Sequence, residues 1–228
     1  MKRVLITAGP SVERIDDVRA WSNIFTGGTG LAIARHFARD CAVDLITSNR
    51  SHLVGLGPNI TGHAFTSHVD LAQTLERLLD AKAYDAVLMT AAVADYAPIG
   101  SFAVESVEHR ADGTQAWVVR DVQAPKIKSA HERVAVLGGR TPKLVDRFRR
   151  DWGYRGMLIK FKLEVGIDDA RLIEVARASR RASDADYIVA NTLAMTAGAK
   201  AGAYLLTDAI QEWVTRDALP ARLRTLVG

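Results

Sequence analysis

Short apolar, β-branched runs alternate with amphipathic helical patterns along almost the whole chain, and this alternation confines the fold to one architecture. RVLITA (3–8) is such a run, ended by Gly9-Pro10, and reads as a buried strand. TGLAIARHFAR (29–39) places Leu31, Ala34, Phe37 and Ala38 on one helical face. AVDLIT (42–47) predicts a second strand, and residues 69–82 a helix with Leu71, Leu75, Leu78 and Leu79 inward. The series continues with DAVLMT (85–90), a helix at 142–150, GMLIKF (156–161), a helix at 168–182 and DYIVAN (186–191). The tail from Ala203 predicts a short strand pair and a terminal helix. Strands separated by helices of this length predict an α/β fold, a Rossmann-like three-layer, doubly wound and mostly parallel sheet. Such sheets bind ligands beyond the carboxyl ends of their strands, where the winding reverses.

Residues 97–135 break the alternation. FAVESVEHR, a turn at Asp112-Gly113 and QAWVVRDV predict a hairpin protruding from the sheet, with APKIKSAHE as its return. Residues 1–228 are expected to form a single domain carrying this excursion. At 48% hydrophobic and 25% charged residues, the chain has the composition of a soluble globular protein with a real core. A net charge of +4 is spread over scattered basic residues with short clusters at Arg147, Arg149, Arg150 and at Arg177, Arg180, Arg181. Such a surface suits small phosphorylated ligands. No Lys/Arg stripe interleaves with aromatics, as nucleic-acid binding would require. Cys41 is the only cysteine, which excludes an internal disulfide and a cysteine zinc site, and it belongs near the second strand. The histidines lack metal-ligand spacing, and no apolar run has the length of a signal peptide or a membrane span. A cytoplasmic location is expected.

IFTGGTGL (24–31) has the look of a dinucleotide-binding loop, but in dinucleotide folds the glycines close the turn directly after the first strand. Here that strand ends near Ala8, and the polar stretch GPSVERIDDVRAWSN intervenes before Gly27-Gly28. No tyrosine has a lysine four positions later, as a short-chain dehydrogenase would need. An NAD(P)-binding oxidoreductase stays the alternative.

The intervening stretch carries a family pattern. ITAGPSVERIDDVRAWSNIFTGGTG resembles the opening of phosphopantothenate–cysteine ligases, and AAVADYAP (91–98), KIKS (126–129), TPKLV (141–145), FKLE (161–164) and DYIVAN (186–191) follow in the family's order. The resemblance implies a stand-alone ligase without the decarboxylase domain, acting in coenzyme A biosynthesis. Such enzymes join the carboxylate of 4′-phosphopantothenate to the amine of L-cysteine through an acyl-nucleotidylate. CTP or ATP is the co-substrate, with Mg²⁺ on its phosphates and no resident metal site. A homodimer is implied, with the 97–135 excursion as its contact.

The same resemblance assigns residues. Asn23 would donate to the acyl oxygen as it gains charge, although spacing alone suits a helix cap. Arg19 would grip the substrate carboxylate or phosphate, against a plain surface ion pair. Lys126 would serve the triphosphate and the activation step from a mobile flap. Gly9, Ser11, Thr26, Gly27 and Gly30 would join Arg19 and Asn23 around the substrate. Ala92, Asp95, Pro142, Lys143, Leu144, Val145 and Phe161 would join Lys126 around the nucleotide. Asp95 also suits a cap, Phe161 core packing and Asn191 a structural turn.

The chain departs from the family pattern at Phe25, Lys160 and Thr192, which leaves a non-catalytic relative as a further alternative. The helix at 168–182 lacks the lysines that many relatives direct at the nucleotide, so Arg177, Arg180 and Arg181 are candidates to replace them.

Overall fold

The protein is described here from a computed structural model, covering residues 1–198 and 201–228. In chain order it contains β1 (Arg3–Ala8), β2 (Val12–Arg14), β3 (Ala20–Ser22), α1 (Gly28–Phe37), β4 (Ala42–Thr47), β5 (Ile60–Ala64), α2 (His68–Ala81) and β6 (Ala86–Met89). Then come β7 (Tyr96–His109), β8 (Gln115–Asp121), β9 (Val134–Arg140), α3 (Leu144–Arg150), β10 (Met157–Glu164), α4 (Asp169–Ala182) and β11 (Tyr187–Thr192). The tail adds β12 (Gly202–Leu206), β13 (Gln211–Thr215) and α5 (Leu219–Val227).

Eight strands form the central sheet in the order β13-β12-β11-β10-β6-β1-β4-β5. The six from β11 to β5 run parallel, while β12 and β13 turn antiparallel at one edge. From β1 the chain moves to β4 and β5, then returns to β6 on the other flank of β1. The reversal of winding therefore falls between β1 and β6. An isolated bridge from Pro10 to Ala92 prolongs that pairing past the strand ends.

Alternation along β1 feeds two cores. Val4, Ile6 and Ala8 pack with Ile33, Phe37 and Leu223 under α1 and α5. Leu5 packs on the opposite face with Leu71, Leu75 and Phe148 under α2 and α3. Burial on both faces is why these strands read as unbroken apolar runs. A smaller cluster, Leu172, Ala176, Ile188 and Leu206, seats α4. Side-chain caps start two helices: Ser67 accepts from the Asp70 N–H of α2, and Asp168 accepts from the Arg171 N–H of α4. Cys41 is fully buried at the entrance to β4, and burial pushes its thiol up.

Several elements differ from the sequence expectation. The helix expected from residue 142 begins only at Leu144, because Lys143 is extended at its N-cap. β10 runs on to Glu164. The polar stretch after β1 folds into the small β2–β3 hairpin. The excursion is a three-stranded sheet, β8-β7-β9, reaching from Tyr96 to Arg140, and β9 rather than the 124–132 segment supplies its last strand. VAVLGGR (134–140) does not read as a strand because its two glycines interrupt the apolar run. Gly138 leaves room for Trp21 of the hairpin: a Cβ would come within 3.1 Å of its ring, a tight contact.

Candidate active site at the carboxyl ends of β1, β6 and β10

Two cavities open at the reversal point, one on each face of the sheet. The larger, about 410 Å³, is lined by Gly9, Thr26, Gly27, Gly30, Ala92 and Phe161 among others. Its volume falls in the range of small-molecule sites. The smaller, about 170 Å³, is lined by Asp95, Pro142, Lys143, Leu144, Val145 and Phe161 among others. Ala91, Phe161 and Lys162 belong to both walls.

The glycine loop lies directly on the end of β1. Gly27 has φ 82°, and a side chain there would run into the Gly9 backbone. A Cβ on Gly30 would sit 2.5 Å from Thr90 Oγ1 and 2.7 Å from Ala8 Cβ. Gly27 also caps α1, and no side chain covers the helix's first N–H groups. Gly28, Thr29 and Gly30 thus present an uncapped helix start to the larger cavity, where an anion is favoured. Asn23 does not cap this helix; its exposed side-chain amide donates to the Ala92 carbonyl at 3.0 Å.

A support under this loop escaped the sequence reading. Asn49 donates to the Thr26 carbonyl at 3.3 Å and lies 3.2 Å from His52 Nε2. His52 Nδ1 lies 3.3 Å from Thr47 Oγ1. Burial, helped by Arg35, lowers the His52 pKa and favours the neutral ring. These residues lie in the loop after β4, far from any motif.

Arg19 is committed within the protein. Its Nε and Nη2 donate to Asp16 Oδ2 at 3.0 and 2.5 Å, and Nη2 also donates to the Ile127 carbonyl at 2.9 Å. Burial opposes the charge on Asp16, but Arg19 and the N–H groups of Ile127, Val18 and Arg19 outweigh it and hold the carboxyl well below its usual range. Ser11 lines neither cavity; it is fully buried and its Oγ accepts from the Ala94 N–H at 2.9 Å. Lys126 is exposed on the irregular segment between β8 and β9, outside both cavity walls.

The wall of the smaller cavity is tied in place. Thr141 donates to the Asp95 carbonyl through its N–H at 3.0 Å, and His68 Nε2 lies 2.7 Å from the Pro142 carbonyl. The three α4 arginines face elsewhere: Arg177 donates to the Thr207 carbonyl, while Arg180 and Arg181 bind Asp208. None of the three lines either cavity. Lys143, Lys160 and Lys162 line the smaller cavity instead. Lys160 donates to the Ser179 carbonyl at 3.0 Å and Ser183 Oγ at 2.5 Å, and Ser183 donates to Asp146 at 2.6 Å. Burial brings the Lys160 pKa down to about 8. Asn191, read as a turn residue, lines the larger cavity, as does Arg216 from the tail. Among the described residues, no three His, Cys, Asp or Glu side chains converge as metal ligands do.

Residues 1–109 match the family described as DNA/pantothenate metabolism flavoprotein C-terminal domain. The chain is 32% identical over 195 residues to the coenzyme A biosynthesis bifunctional protein CoaBC of Thermococcus kodakarensis, covering 84% of this chain and 41% of that protein. It is 30% identical over 194 residues to CoaBC of Methanocaldococcus jannaschii, covering 84% of this chain and 40% of the relative. The chain thus spans about two fifths of the length of these relatives. A crystal structure of the DNA/pantothenate metabolism flavoprotein from Streptococcus pneumoniae superimposes with a TM-score of 0.83 at 24% identity, over 100% of this chain and 98% of that one. A Cab2 mutant in complex with phosphopantothenate-cysteine gives a TM-score of 0.67 at 15% identity, over 99% of this chain and 87% of that one. The family match is thus confined to residues 1–109, and the chain carries the fold of these solved structures.

Proposed function

We propose that this chain is a phosphopantothenate–cysteine ligase of coenzyme A biosynthesis. The observation that carries the reading is the meeting of the glycine loop, Ala92 and Phe161 around one cavity at the reversal point, with the Asn23 amide held against Ala92. Relatives named for coenzyme A biosynthesis support it.

In the first step an oxygen of the 4′-phosphopantothenate carboxylate attacks the α-phosphorus of CTP or ATP, and pyrophosphate leaves. In the second, the cysteine nitrogen attacks the acyl carbon, loses a proton and expels the nucleoside monophosphate. The uncapped start of α1 and the close backbone at Gly27 and Gly30 suit a phosphate. Asn23 turns its N–H toward the acyl oxygen as negative charge grows there. Lys126 answers the triphosphate from the 122–133 segment, and Lys143, Lys160 and Lys162 give the smaller cavity a cationic lining. Mg²⁺ would arrive on the triphosphate, whose charge it screens; Asp95 is the one acidic residue lining either cavity among the described residues. A nicotinamide cofactor is not part of this reading, because in sequence the β2–β3 hairpin comes between β1 and the glycines, although the fold returns the loop to the end of that strand.

The working form in this proposal is a cytoplasmic homodimer joined through the excursion, where Trp117, Val118, Val119 and Leu137 stand exposed. Among the described residues, no helix is long and apolar enough to cross a membrane. Sedimentation as a monomer would count against the dimer.

Pyrophosphate release with 4′-phosphopantothenate, cysteine and Mg²⁺, run with CTP and with ATP, tests the activity. Release that requires phosphopantothenate and prefers one nucleotide is expected. A folded protein that releases none with either nucleotide sinks the reading and leaves the non-catalytic relative.

A further inference from the structure

The segment that carries Lys126 has no regular structure, yet it is fastened at both sides of that lysine. The Pro125 carbonyl accepts from the Asp17 N–H at 2.9 Å. The Ile127 N–H donates to Asp16 Oδ2 at 3.1 Å, and the Ile127 carbonyl accepts from Arg19 at 2.9 Å. Gln123 adds a further stitch, donating to the Ile15 carbonyl at 3.0 Å. Ile127 is 3% exposed, whereas Lys126 and Lys128 on either side face solvent. The centre of this arrangement is Asp16, itself 6% exposed, whose two oxygens accept five N–H donors from Val18, Arg19 and Ile127.

We propose that Asp16, with Arg19 as its bridge, is a positioning residue for Lys126: it pins the backbone at Ile127 and so decides where the neighbouring ammonium stands relative to the nucleotide. This rests on the ligase reading for what Lys126 does, but the pin itself is independent of that reading. The carboxylate is ionised throughout the working pH range because its donors hold its pKa far down, so the pin is permanent rather than pH-switched. Arg19 thereby serves the reaction through the flap segment. Misplacing a catalytic cation by about an ångström costs up to roughly a hundredfold in rate.

The test combines hydrogen exchange with a double-mutant cycle. Asp16→Asn should speed exchange at the Ile127 amide and lower kcat/KM for the nucleotide by about tenfold or more. In a Lys126→Ala background the same substitution should change kcat/KM by less than about twofold, because the group being positioned is gone. Unchanged Ile127 protection, or effects of the two substitutions that multiply, overturns the proposal. If Asp16→Asn does not fold, Gln123→Ala, which removes one exposed stitch, must give a weaker version of the same pattern or the proposal fails. If the wild-type protein releases no pyrophosphate, the ligase reading falls, and the Ile127 exchange in Asp16→Asn alone decides the pin.

Discussion

Asn23 donates its side-chain amide to the Ala92 carbonyl, 3.0 Å away, across the gap between the β3 loop and the end of β6. The residue is exposed and has no part in the core. Asn23→Ala should therefore leave the melting temperature within a few degrees, since a single such bond contributes about 1 kcal/mol. Loss of a donor to a charge-developing oxygen should lower kcat by about 10²–10³. Pyrophosphate release measured beside a thermal melt checks both; near-normal turnover would remove Asn23 from the mechanism.

Gly28 and Gly30 sit two residues apart and should respond in opposite directions. A Cβ on Gly28 meets only Thr26 Oγ1 at 3.9 Å, whereas one on Gly30 meets Thr90, Ala8 and Thr7 at 3.0 Å or less. Gly28→Ala should stabilise the protein by up to about 1 kcal/mol. Gly30→Ala should destabilise it by about 1–3 kcal/mol and distort the end of the larger cavity where α1 begins. Urea unfolding of the two variants decides.

Lys160 gives the protein a basic-side pH dependence. Its pKa is about 8 in the fold, against roughly 10.4 in an unfolded chain. Between those values the unfolded state holds more protons, so stability rises with pH across that window. The wild type should gain on the order of 2 kcal/mol relative to Lys160→Met between about pH 7.5 and 10.5. Nucleotide KM should rise as the pH passes 8 and the smaller cavity loses a charge. Equal slopes for the two proteins would contradict the burial argument.

On the acid side the corresponding group is Asp44, held by His63, Lys82 and Tyr84 at 2.7 to 3.0 Å. Burial works against its charge, but these three partners bring its pKa down to about 2. Its contribution is present above the unfolded value near 4 and is lost as the pH falls toward 2, an effect of about 2 kcal/mol. Unfolding free energies at pH 7, 4 and 2.5 should fall by about 2 kcal/mol less in Asp44→Asn than in the wild type, the remaining drop belonging to other paired carboxylates such as Asp16.

How far the sequence could be read depended on where each residue's partner lay. β1, β4 and β6 were legible because both of their faces are buried, leaving unbroken apolar runs. β5 and β9 were not, because Gly62, Gly138 and Gly139 interrupt the pattern where neighbouring side chains need the space. The glycine loop is legible from its own glycines and the 141–145 segment from family order, and each lines a cavity. Arg19 stood inside a recognised motif, yet Asp16 meets Ile127 across 111 residues, a pairing no local spacing reveals. Asn49, His52 and Arg216 lie outside every motif and reach the site only through the fold.

Phe161 touches both cavities from β10, but its ring packs with the core under α1, on the side of the larger one. The sheet itself therefore separates the two chambers, and each can be filled without displacing a side chain of the other. Trimming the ring to alanine should widen the larger chamber while the sheet keeps the smaller one closed off. Affinity for a ligand on that side alone should then respond to the substitution, so one residue tells which chamber a given substrate uses.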